Sequence, residues 1–92
     1  MTRMRRRLSE PEIEAALSRV PEWRREGGEI VRTFTGKDFA EAMAFVNRVA
    51  ASAEELDHHP DIDIRWNKVT LRLSTHSAGG LTAADFDLAR LA

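Results

Sequence analysis

Cysteine is absent from the chain, which removes disulfides, thiolate nucleophiles and cysteine-ligated zinc from consideration. A charge excess of either sign is missing as well. Fourteen basic residues against 15 acidic ones leave a formal net charge of -1, without the basic footprint of a nucleic-acid binder. No apolar run approaches the ~20 residues that a bilayer-spanning helix needs, so no membrane partner is expected. There is no internal repeat, no low-complexity stretch and no linker. Also missing are a Gly-x-Gly-x-x-Gly turn, a phosphate-cradling glycine loop ending in Lys-Ser/Thr, and a Gly-x-Ser-x-Gly elbow. The remainder is ordinary for a soluble globular domain: 42% hydrophobic and 32% charged residues argue against disorder. Ninety-two residues suffice for one domain with a small core, which association with further copies of the chain would help to stabilise.

The chain opens Met1-Thr2-Arg3-Met4-Arg5-Arg6-Arg7, basic like the start of a signal peptide. Leu8-Ser9-Glu10-Pro11-Glu12 follows, which is no apolar h-region. The expectation is a cytoplasmic protein whose residues 1–7 form a flexible basic arm.

Beyond the arm, Ser9 with Glu12 makes a capping-box pattern with Pro11 in the first turn, and Ile13, Ala16, Leu17 and Val20 recur at helical spacing until Pro21. Gly27-Gly28 separates two β-capable runs, Trp23 to Glu26 and Glu29 to Thr35, as a hairpin turn would. Asp38 with Glu41 opens the longest periodic segment, where Phe39, Ala42, Met43, Val46, Val49, Ala50, Ala53 and Leu56 share a face. Phe45 falls off that stripe and is expected to be an exposed subunit contact. The helix has to stop before Pro60. Ile62, Ile64 and Trp66, then Val69, Leu71 and Leu73, alternate with polar residues as two half-buried strands turning at Asn67-Lys68. After Gly79-Gly80, Thr82 with Asp85 opens a last helix carrying Phe86, Leu88, Ala89 and Leu91. The order α-β-β-α-β-β-α predicts an α+β fold: a four-stranded antiparallel sheet with three helices on one face and the other face wet.

Chemistry-bearing residues concentrate between Glu54 and Asp85, which enclose His58, His59 and His76. Glu54, Glu55 and Asp57 crowd a helix C-terminus, where the macrodipole disfavours negative charge, and such local violations tend to mark functional sites. Glu54 and His58 are four apart, so a persisting helix would pair them and prepare the imidazole for proton transfer near neutral pH. A solvated acidic helix end accounts for the same residues without chemistry. His76 sits past a strand end, ahead of two glycines, where a site residue or an inconsequential surface histidine would stand. Asp85 has a sufficient structural role as the partner of Thr82. A metal site is disfavoured, because adjacent histidines diverge and no His-x-x-x-His pair occurs.

Together these residues resemble the pterin-4a-carbinolamine dehydratases. The matching stretches read Glu54-Glu55-Leu56-Asp57-His58-His59-Pro60, Trp66-Asn67-Lys68-Val69, Leu73-Ser74-Thr75-His76, and Gly80-Leu81-Thr82 with Asp85. An aromatic stands six residues after the proline, a histidine ten beyond that and an aspartate nine further on, which is the family's spacing. Trp23, Phe34 and Lys37-Asp38-Phe39 agree more loosely. The resemblance implies dehydration of 4a-hydroxytetrahydropterin by histidine acid–base catalysis, with the pterin as substrate and no metal or bound cofactor. It assigns His58 and His76 to acid–base work and His59 to holding the pterin. Glu54 and Asp57 would polarise the imidazoles. Ser74, Thr75 and Ser77 would line the pocket beside Pro60, and Asp85 would steady it. It also implies a homodimer or homotetramer, with sheets joined across subunits. Many relatives carry a basic residue where this chain has Ala84, which bears on pterin affinity. The competing reading is a non-catalytic adaptor, a transcriptional coactivator or assembly factor on the same fold, for which the three histidines would be relics.

Overall fold

Side-chain caps decide where the helices begin. In the computed structural model, which describes residues 6–92, α1 (Glu10–Leu17) starts at Ser9. The Ser9 hydroxyl accepts from the Glu12 N–H, and the Glu12 carboxylate accepts from the Ser9 N–H. Arg6 grips the same carboxylate with both terminal nitrogens, at 3.1 and 2.8 Å. The Arg6 hydrogen bonds first, and the Ser9 bonds after them, pull the Glu12 carboxyl down to about 2. The long helix α2 (Phe39–Leu56) starts at Asp38, which accepts from the Glu41 N–H at 2.9 Å. A second capping box, Thr82 with Asp85, opens α3 (Ala83–Leu91). Each helix thus meets its orphan N–H groups with an acceptor and carries an acidic residue in its first turn. Of the basic arm expected over residues 1–7, the first five lie outside the described residues. Its last two are engaged, Arg6 with Glu12 and Arg7 in an antiparallel bridge to Thr82.

The strands are β1 (Arg24–Glu26), β2 (Glu29–Thr35), β3 (Asp61–Arg65) and β4 (Lys68–Leu73), all antiparallel in the order β1-β2-β4-β3. Gly27, at φ 60°, supplies the left-handed residue that the β1–β2 turn requires. The α+β architecture and element order expected from periodicity are therefore present. Pairing of Ile30 with Leu73 and Phe34 with Val69 sends Ile30, Leu73, Leu71 and Val69 toward the helices. There they pack with Ala42, Val46, Val49 and Ala53 of α2, and with Phe86, Leu88 and Ala89 of α3. The opposite face carries polar residues around the buried Val31, and on it Arg72 joins Glu26 at 3.0 Å and Glu29 at 3.2 Å. Arg25 ties β1 to α1 through Glu10, with bonds of 2.6 and 2.9 Å.

Several expectations are corrected. Phe45 is buried, not exposed: it stacks on Phe34, with ring centroids 4.3 Å apart, and Arg32 and Arg48 lie over its ring. The buried stripe of α2 is Ala42, Phe45, Val46, Val49 and Ala53, so it is rotated from the expected face and leaves Phe39 and Ala50 exposed. The cause is the aromatic partner on β2, which no helical period reveals. The β3–β4 turn falls at Trp66-Asn67 and not at Asn67-Lys68, because Arg65 pairs with Lys68 and Trp66 takes a positive φ of 54°. Trp66 is consequently no strand residue but an exposed aromatic stacked against Phe39. Finally, β3 is exposed throughout. Its Ile62 and Ile64 share a face with Leu71 and Val69 through pairing, but the strand is at the sheet edge and α2 packs chiefly over β4. In α3, Leu91 is likewise exposed.

Candidate active site

The end of α2 divides the two adjacent histidines. Asp57 adopts the left-handed conformation (φ 50°, ψ 46°), which Asp tolerates better than most residues. The His58 N–H then closes the helix on the Ala53 carbonyl at 3.0 Å, and Pro60 prevents further winding. The reversal turns His58 inward, where it is only 5% exposed, and leaves His59 on the surface. The expected Glu54–His58 pair is therefore not formed, because His58 has left the helix on which four-residue spacing operates. The Glu54 carboxylate meets Nε2 of His59 instead, at 2.5 Å.

His58 finds its carboxylate across the molecule. Its Nε2 lies 2.5 Å from Oδ1 of Asp85, which is fully buried. The second oxygen, Oδ2, accepts from the Thr75 hydroxyl at 2.9 Å and the Thr82 N–H at 2.9 Å. With the Thr75 proton committed to Asp85, the Thr82 hydroxyl donates to Thr75 Oγ1 at 2.8 Å, while Thr82 Oγ1 accepts from the Ala84 N–H at 3.2 Å. Two donors thus converge on Oδ2 of Asp85 while Oδ1 meets Nε2 of His58, so one buried carboxyl group fixes the ring's orientation. One oxygen of Asp85 caps α3 and the other holds His58.

Thr75 carries this network to the third histidine. After β4 and the half-buried Ser74, Thr75 forms an antiparallel bridge with Gly80, with N–H to O distances of 3.0 and 3.3 Å. The bridge pinches off a loop whose single 3-10 turn is His76–Ala78, closed by Gly79 at φ 73°. His76 and Ser77 stand exposed on that turn. The structure therefore joins His58, Asp85 and Thr75 in one buried unit and places His76 one peptide beyond it. Glu54 and His59 form a separate exposed pair, Pro60 is half-buried ahead of β3, and Asp57 serves as the α2 cap. Thr82 was not singled out for the site. The capping spacing Thr82-x-x-Asp85 marks it as a helix start but cannot show that its hydroxyl reaches Thr75. Among the described residues, no group of three or more His, Cys, Asp or Glu side chains is arranged to hold a metal ion.

Such a unit suits proton transfer: a buried imidazole whose one nitrogen is locked, near exposed imidazoles and hydroxyls. Among the described residues, no helix is long and apolar enough to cross a membrane. The family model for pterin 4 alpha carbinolamine dehydratase matches residues 6–92. A protein of Nocardia farcinica bearing the pterin-4-alpha-carbinolamine dehydratase name is 58% identical over 83 residues, covering 90% of this chain and 87% of its own length. One from Picosynechococcus with the same name is 55% identical and covers 94% of both chains. Among solved structures, a transcriptional coactivator/pterin dehydratase from Brucella melitensis is 40% identical. It superimposes with a TM-score of 0.87 over 91% of this chain and 92% of that one. A pterin dehydratase-like RuBisCO assembly factor of the alpha-carboxysome, 23% identical with a TM-score of 0.59 over 74% and 79%, shares the fold. By its sequence, from the Arg6 pair to the end of α3, the chain belongs to the pterin 4 alpha carbinolamine dehydratase family.

Proposed function

We propose that this chain is a hydro-lyase that dehydrates 4a-hydroxytetrahydropterin to quinonoid dihydropterin. The C4a–O bond breaks with a proton delivered to the departing hydroxyl, the N5–H proton is removed, and a C4a–N5 double bond forms with water as co-product. One proton is given and one taken, so the reaction needs two groups able to do either near neutral pH, which suits imidazoles. The observation that carries this reading is the buried His58–Asp85 pair, hydrogen-bonded through Thr75 to the turn that bears His76. His58, held by Asp85, serves one proton-transfer step. His76 serves the opposite step. His59, oriented by Glu54, holds the pterin, and Ser74, Thr75, Ser77 and Pro60 line its binding place in this reading. The chain works in the cytoplasm on a free pterin, without a metal or bound cofactor. Stopped-flow spectroscopy of synthetic 4a-hydroxytetrahydropterin tests the reading. The folded protein is expected to accelerate dehydration over the spontaneous rate, and no acceleration would favour the adaptor reading that the coactivator name of the Brucella relative raises.

The functional particle in this reading is a homodimer or homotetramer built through β3, not through Phe45. The β3 edge is exposed and presents Ile62 and Ile64, 38% and 37% accessible. Antiparallel self-pairing centred on Asp63 would set Asp61 of each copy opposite Arg65 of the other. Sedimentation is expected to give a dimer or tetramer that Ile64→Lys shifts toward monomer; a monomeric parent protein would contradict this.

A further inference from the structure

The basic segment ahead of α1 reads as a solvated tail in the sequence, yet its last residues are built into the edge of the site. The Leu8 N–H donates to the Leu81 carbonyl at 2.8 Å, and Arg7 is bridged to Thr82. Residues 80–82 are therefore held on two sides: Thr75 pairs with Gly80, and Arg7-Leu8 pairs with Leu81-Thr82. The Arg7 side chain continues across the same segment. A Cβ built at Gly80 would lie 3.4 to 3.6 Å from the Cδ, Nε and Cγ atoms of Arg7, and one built at Gly79 would lie 4.0 Å from its Nη1. Gly80 is buried, and the Arg7 stem is what lies over it, while the guanidinium reaches the left-handed residue that closes the His76 turn. Among the described residues that guanidinium makes no hydrogen bond, so its placement follows from the packed stem and the bridge.

We infer that Arg7 is a positioning residue for His76, clamping the 75–80 loop from the side opposite Asp85. The other restraints on the loop are backbone hydrogen bonds of its own, the Thr75–Gly80 bridge, Ala78 N–H to the Thr75 carbonyl at 3.0 Å and Gly79 N–H to the His76 carbonyl at 3.1 Å. Its turn is three residues long, none of them buried, and His76 and Ser77 face solvent. The Thr75 end is fixed by Asp85 and the Gly80 end by the Arg7 stem, so the imidazole of His76 keeps one setting relative to His58. Released at Gly80, the loop would sample others, and a displacement near 1 Å at a reacting group costs on the order of tenfold to a hundredfold in rate.

The kinetic part of this inference rests on the dehydratase reading; the structural part does not. Arg7→Ala and Arg7→Lys are compared with the parent protein by amide hydrogen exchange and by stopped-flow dehydration. Arg7→Ala is expected to speed exchange at Gly79, Gly80 and Leu81 by about tenfold, leaving β4 and α2 protected. It should lower kcat about tenfold with KM changed less than about twofold. Arg7→Lys, which keeps an apolar stem over Gly80, is expected to restore both. Unchanged loop exchange in Arg7→Ala would overturn the inference, as would uniform loss of protection, which would make Arg7 a general stabiliser. If the parent protein catalyses no dehydration, the exchange result still decides the clamp, and only the functional reading falls.

Discussion

Asp85→Ala is expected to destabilise the protein by about 3–5 kcal/mol, the scale for leaving several buried donors without their acceptor. The size follows from what one carboxylate holds: Nε2 of His58 at 2.5 Å, the Thr75 hydroxyl and the Thr82 N–H, all within the buried interior. Truncation leaves each of these donors without its acceptor and removes the reciprocal cap of α3. A domain of this size has about 5–15 kcal/mol in total, so the alanine variant would sit near the edge of folding. Asp85→Asn separates stability from chemistry. The amide keeps the shape and one acceptor oxygen, so the cost should fall to about 1–3 kcal/mol. Yet it cannot accept on both sides, so the His58 ring loses its fixed orientation or the cap loses its acceptor. Denaturant midpoints measure the first effect. Dehydration rates measure the second, and a fall on the order of a hundredfold in the folded asparagine variant is expected. Near-parental rates in that variant would reduce Asp85 to a helix cap.

Replacing the imidazoles is expected to have the largest effect on rate. His58→Gln and His76→Ala should each lower kcat by on the order of 10² to 10⁴, the usual contribution of a positioned acid or base. Their stability costs should differ. His58 is buried against Asp85, so its loss leaves a buried carboxylate short of a donor, whereas His76 is exposed and its removal should be nearly neutral. Equal rate losses with unequal stability losses, read by stopped flow and denaturant titration, would place both rings in the chemistry. A full rate in His76→Ala would remove the loop histidine from it. The two losses should combine less than additively, because acid and base act in one elimination.

What the sequence discloses and what it hides divide along the range of the interactions. Helix starts were legible because Ser9, Asp38 and Thr82 act on N–H groups two or three residues away. The sheet was legible because β4 alternates with period two, burying Val69, Leu71 and Leu73 and leaving the residues between them half-buried. Hidden were the features made by contacts distant in sequence. Phe45 is buried because Phe34 of β2 meets it, and β3 is exposed because the strand lies at an edge. The His58 partner shows the same limit. Four-residue spacing pointed to Glu54, but a left-handed Asp57 ends that spacing and the true partner stands 27 residues on. Spacing matched to a family identified Asp85 as a site residue; only the fold shows that it grips His58. The contacts of Arg7 and Leu8 were hidden for the same reason, since their partners are at the far end of the chain.

The central claim is that three histidines, two of them adjacent and one from a distant loop, surround a single pterin. Histidine ring resonances recorded during titration with a stable pterin, 7,8-dihydrobiopterin, test it most directly. The account predicts that signals of His58, His59 and His76 all shift and saturate at one common concentration. Saturable shifts confined to residues away from these rings, or shifts of one histidine alone, would contradict it.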